Sequence, residues 1–163
     1  LTSNQAPAAQ SAPVSLTVSP VPAPTFTKDF SPNTATAGGS VALIFTITNN
    51  ASVPLSGLSF IDALPGGLRI TETNVVTLNT CGGTLTANPS IPFNPGPPPQ
   101  PAIPSTTIAL QGGTLAPNSS CVVSVSVEQI PPALPAIYTN PPVTLFSSGA
   151  PPVPSNQATV TFN

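Results

Sequence analysis

The chain of 163 residues has no histidine, no methionine, no tryptophan and a single tyrosine. Without histidine, the Ser/His/Asp and Cys/His arrangements of nucleophilic catalysis are excluded. A zinc site takes about four nitrogen or sulfur ligands, and two cysteines do not supply them. Charge is almost as scarce. Only Lys28, Arg69, Asp29, Asp62, Glu72 and Glu128 carry it, 4% of the residues, against roughly 25% in an ordinary globular domain. The four acids are far apart in sequence, so neither a paired-carboxylate hydrolase nor a calcium cage is expected. No catalytic, cofactor-binding or metal-ligating residue is expected. The net charge of −2 comes with no basic cluster, which argues against nucleic acid as a partner. No stretch approaches the roughly 18 apolar residues of a membrane span. No signal peptide is visible; a secreted chain would have lost it, and Leu1 then reads as a mature N-terminus.

What the chain does have is proline, glycine and small polar residues. Twenty-five prolines and eleven glycines leave no room for a long helix. Hydrophobic residues make up 39%, enough for one domain with a core. The surface must be covered by Thr, Ser, Asn, Gln and Pro. Soluble monomers usually stay apart by charge, so this composition fits a protein that associates.

The pattern along the chain is of strands at short spacing. Residues 24–30 (PTFTKDF) read as a first strand. Residues 40–49 alternate, with Val41, Leu43, Phe45 and Ile47 on one face. Residues 55–64 make a third strand, closed by Pro65, Gly66 and Gly67, and residues 67–71 and 74–80 are shorter candidates. The run 88–104 is too rich in proline for a ladder strand and reads as an extended excursion. Strands resume at 106–111 and 120–128, where Cys121, Val123, Val125 and Val127 face inward. Tyr138 falls on a strand edge, and the chain closes with Ala158, Val160 and Phe162 facing in. About seven to nine short strands and no helix predict an all-β, antiparallel sandwich.

The two cysteines, Cys81 and Cys121, form an even count in a histidine-free chain. That pattern points to a disulfide and an oxidising compartment, with two buried free thiols as the alternative. A bridge would stabilise by roughly 3–4 kcal/mol in the chain-entropy model.

Five segments together carry a resemblance: FTKDFSPNTATAGGSVALIFTITN, LSGLSFIDALPGGLRI, NTCGGTLTA, GGTLAPNSSCVVSVSVE and AIYTN. In order and spacing they resemble the immunoglobulin-like repeat of unknown function found in secreted and cell-surface proteins of bacteria and some archaea. The resemblance spans residues 24–163, interrupted by the proline run. It implies an extracellular immunoglobulin-like sandwich, often strung in tandem, serving as stalk, scaffold or adhesive module. It pairs Cys81 with Cys121, places Phe30 and Pro32 where the chain enters the domain, and makes Asp62 to Gly67 an inter-strand turn. It carries over no catalytic residue.

Residues 1–22 precede that domain, which begins at 23. Laid over 145–162 without a gap, residues 1–18 match at Leu1, Ser3, Ala6, Pro7, Ser11 and Thr17. The stretch holds a strand-like core with Val14, Leu16 and Val18, and three readings compete for it: a disordered leader, the tail of a preceding tandem repeat, and a donated strand. A strand that mimics the chain's own closing strand suits donation to a neighbour's sheet edge, and a head-to-tail contact of that kind generates a filament. The expected function is therefore a structural subunit of an extracellular, pilus-like fibre whose partners are copies of itself. The alternatives are one repeat of a long cell-surface stalk or adhesin, and an isolated adhesive or carbohydrate-binding module. Asn50 (NAS) and Asn118 (NSS) match the glycosylation acceptor pattern, so a surface glycan is a candidate attachment. Two readings compete for Lys28. One is a solvated lysine beside Asp29, and the other a lysine cross-linked to Asn163 near Glu128. Asp62 is expected in a turn, as a cap.

Overall fold

In the computed structural model, residues 13–15, 21–71, 77–87 and 106–163 are described. Their strands are β1 (Thr25–Ser31), β2 (Thr34–Ala35), β3 (Ser40–Thr48), β4 (Leu55–Ala63), β5 (Leu68–Ile70), β6 (Thr77–Asn79) and β7 (Thr84–Thr86), followed by β8 (Thr107–Leu115), β9 (Ser120–Gln129), β10 (Ala136–Asn140), β11 (Thr144–Ser148), β12 (Val153–Pro154) and β13 (Ala158–Phe162). No helix occurs among them. The architecture is an immunoglobulin-like antiparallel β-sandwich.

One sheet runs β1-β3-β9-β5, with β6 also on β9; the facing sheet runs β12-β11-β4-β8-β7. The alternation read from the sequence does the packing. Val41, Leu43, Phe45 and Ile47 of β3 are buried, as are Cys121, Val123, Val125 and Val127 of β9. The sheets meet through aromatic rings: Phe60 of β4 lies 4.7 Å from Phe45 and 5.3 Å from Phe26, between ring centroids. Rings at such separations contribute beyond the area they bury.

A third, small sheet runs β10-β13-β2 and closes one side. Its β13–β2 pair is parallel, with Thr161 opposite Thr34 and Phe162 opposite Ala35. The alignment extends to both sides. The Asn163 amide donates to Ala35 O (2.9 Å), the Thr161 amide to Asn33 O (2.9 Å), and Lys28 lies beside Asn156. The run from β1 into β2 and the run into β13 therefore travel side by side in the same direction. The chain enters the sandwich at one end and leaves it at the other.

Two expectations need correction. Asp62 is in strand β4, not in a turn; the turn begins beyond Ala63. Strand β8 does not end at residue 111 but continues through Gly112 and Gly113 to Leu115. A Cβ on Gly113 would come within 3.0 Å of Cys81 O and 3.1 Å of the Leu58 Cβ, so the glycine allows close approach of neighbouring chain rather than a turn. The short strands β2, β7, β11 and β12 lack an alternation long enough to announce them. The proline run 88–104 lies outside the described residues.

Candidate functional site

The strand β1 sequence TFTKDFS alternates exposed and buried. That phase puts Lys28 on the same inward face as Phe26 and Phe30, and its side chain is wholly buried. On β4 the same logic sets Asp62 in phase with Leu58 and Phe60, and it too is buried. Asn140 ends β10 and is buried beside them.

These three side chains meet. Lys28 Nζ donates to Asp62 Oδ2 at 2.9 Å and to the carbonyl of Pro141. Asn140 Nδ2 donates to Asp62 Oδ1 at 2.9 Å. One carboxylate thus accepts an amine on one oxygen and a carboxamide on the other. Taking two ions out of water costs several kcal/mol each, and only close pairing with further hydrogen bonds offsets it. Asn140 Oδ1 is buried and has no hydrogen-bond partner among the described residues. The backbone of Lys28 is fixed by Asn156, whose Oδ1 accepts from the Lys28 amide (2.9 Å) and whose Nδ2 donates to the Lys28 carbonyl (2.8 Å). The Asn156 amide stands in for a strand neighbour there and covers the outer edge of β1.

Neither reading of Lys28 made from the sequence holds. The lysine is not solvated. Glu128 is engaged instead with Arg69 (3.0 Å). Asn163 is exposed and lies level with Ala35, because β13 runs parallel to β1 and β2. The missed residue is Asn140. Its place beside Lys28 follows from how the sheets close, which no local pattern reports.

The other predicted positions fall as follows. Cys81 and Cys121 are joined, with Cα atoms 5.0 Å apart. Asn50 is exposed, and its amide donates to Thr25 Oγ1 (2.8 Å) and Ala23 O (3.2 Å). Asn118 is exposed in a turn with φ +48°. Its amide donates to Ala51 O at 3.1 Å, so both acceptor triplets sit at the end where β1 begins. Val14 is 95% exposed and outside any strand. Leu16 and Val18 lie outside the described residues, as does most of the segment aligned with 145–162.

A family model described as "Domain of unknown function (DUF7933)" matches residues 24–161, and the chain belongs to that family. No curated protein matches it in sequence. Among solved structures, a putative membrane-anchored protein from Corynebacterium diphtheriae shares the fold at a TM-score of 0.51 and 15% identity, over 90% of this chain and 37% of that one. An uncharacterized protein from Nocardia farcinica with an immunoglobulin-like fold gives a TM-score of 0.49 at 15% identity, over 85% of this chain and 97% of that one. A non-cellulosomal cohesin from Archaeoglobus fulgidus gives 0.47 at 12% identity, over 85% and 91%.

Proposed function

We propose that this member of the DUF7933 family is a structural module of an extracellular or cell-surface fibre, joined in line to further copies of itself. The observation that carries the reading is the parallel, side-by-side course of β1–β2 and β13. Strands that enter and leave at opposite ends suit a module pulled along its length. Tension between the ends loads the Thr161–Asn33 and Asn163–Ala35 hydrogen bonds in shear, so they must fail together rather than peel one by one. The disulfide supports the extracellular assignment, since such bonds persist in oxidising surroundings.

The same geometry supports donation by residues 1–22. β1 begins at the end opposite the one where β13 leaves, which is where a donated segment 1–22 would start. In a row of copies it therefore points at the exit end of its predecessor. Val14, Leu16 and Val18 are the residues that would dock into that neighbour's sheet edge. With so few charges, the edges have little else to guard them. Deleting residues 1–20 tests this, with size exclusion and electron microscopy as readouts. The full chain is expected to give fibres and the truncated chain a monomer. If both stay single, strand donation fails and the module belongs to a tandem stalk of one polypeptide.

A further inference from the structure

The group around Asp62 holds the parts of a reaction as well as of a salt bridge. We propose that Lys28 and Asn140 become joined by an amide bond within the folded chain, with Asp62 carrying the protons between them. The amine, the carboxylate and the carboxamide are 0%, 1% and 1% exposed. They meet on the two oxygens of one carboxylate, with Nζ on Oδ2 and Nδ2 on Oδ1.

Three further features favour reaction over simple pairing. Asn140 Oδ1 is buried without a hydrogen-bond partner among the described residues; a site built only for stability would satisfy it. Lys28 is held on both sides, its backbone by Asn156 and its Nζ by the Pro141 carbonyl, which is the positioning that turns two neighbouring groups into reactants. The residue after Asn140 is a proline. Its nitrogen has no hydrogen, so the ordinary route by which an asparagine expels ammonia, attack by the next backbone nitrogen, is closed. The amine held on the same carboxylate as that amide is Nζ.

The step balances without oxidant or reductant. Lys28 Nζ passes a proton to Asp62 Oδ2, and the freed amine attacks Cγ of Asn140. The Nζ–Cγ bond forms and the Cγ–Nδ2 bond breaks. Two protons leave the original ammonium in all, and both end on the departing Nδ2 by way of the Asp62 carboxylate. Asp62 finishes as it began, and ammonium is released. A cleft lined by Asp62, Asn140 and Pro141 adjoins the reacting amide and gives the product a way out.

The bond would change how tension runs through the module. It fastens β1 to the end of β10, and β10 is the ladder partner of β13. A pull on the two ends would then pass from Lys28 to Asn140 and on to the C-terminal strand. Residues 29–139, with the Cys81–Cys121 bridge, would lie outside that covalent path.

The test is the intact mass of the reduced, denatured wild-type chain, read on the isolated protein whether or not it assembles. A failure here is therefore distinct from a failure of the fibre reading. The expected chain is lighter than its sequence by one ammonia, and digestion yields one branched peptide holding Lys28 and Asn140. Lys28→Met is expected at its full sequence mass. A wild-type chain at full mass overturns the proposal. So does a loss of ammonia that persists in Lys28→Met, because the loss then lies elsewhere.

Discussion

Two ion pairs of almost equal length occupy very different places in this molecule. Lys28 and Asp62 are 2.9 Å apart with side chains 0% and 1% exposed, whereas Arg69 and Glu128 are 3.0 Å apart at 14% and 21%. The first joins β1 of one sheet to β4 of the other. The second joins β5 to β9 at directly opposed positions within one sheet. Distance alone would rank them together, yet burial separates them. In the interior, losing one partner strands the other as an unpaired charge. Near the surface, water takes over most of what the lost partner supplied. A chain with so few charges has placed one pair where charge costs most, and an asparagine with it.

The comparison breaks most sharply at Lys28. Lys28→Ala leaves Asp62 buried with only Asn140 and also removes the proposed link through Nζ, so the expected loss is at least about 3–5 kcal/mol, measured by urea denaturation. Replacing the pair together, Lys28→Met with Asp62→Leu, is expected to cost less than Lys28→Ala, since no charge is then left alone. A double variant as unstable as the sum of its singles would mean that the pair is no unit. The disulfide is the next largest contribution. Cys81→Ser with Cys121→Ser opens a loop of separation 40 and is expected to cost roughly 2–4 kcal/mol, read as a lower urea midpoint.

A smaller effect is expected at Gly67, which has φ +96° and lies under the ring of Tyr138. A Cβ there would stand 2.6 Å from Tyr138 Cε1. Gly67→Ala combines backbone strain with a clash, and about 1–3 kcal/mol is expected, seen as a lower melting temperature. Tyr138 also packs edge-on against Phe162 at 6.0 Å, so the variant should loosen β13 first. Faster hydrogen exchange at the Thr161 and Asn163 amides would report it.

The long strands were legible because alternation sets both their extent and their inward face. β3 and β9 follow it residue by residue. The site was half legible. The phase of TFTKDF already put Lys28 with Phe26 and Phe30, but the ordinary preference of lysine for water argued for the surface. Asp62 shares the phase of Leu58 and Phe60; the Pro65-Gly66-Gly67 turn beyond it drew it into the loop. Asn140 carried no local signal at all. Its neighbours are set by the parallel placement of β13 beside β2, a pairing between the two ends of the chain that periodicity does not encode. The same placement moved the expected partner Asn163 away from Lys28, level with Ala35 instead.

The smallest effect belongs to the outer pair, and it sharpens the contrast by being small. Arg69 and Glu128 face each other across the β5–β9 ladder, and opposed charges there contribute roughly 0.2–1 kcal/mol. Both side chains are partly solvated, so salt screens them over a Debye length of about 8 Å at physiological ionic strength. Arg69→Gln keeps an unbranched polar stem and removes the guanidinium with its charge. It is expected to cost less than about 1 kcal/mol, with the difference from wild type shrinking as sodium chloride is raised. The Lys28→Ala deficit should hold across the same titration, because no salt reaches side chains as deeply buried as Lys28 and Asp62. A titration in which both deficits shrank together would place the two pairs in one electrostatic environment and undo the distinction drawn from their burial.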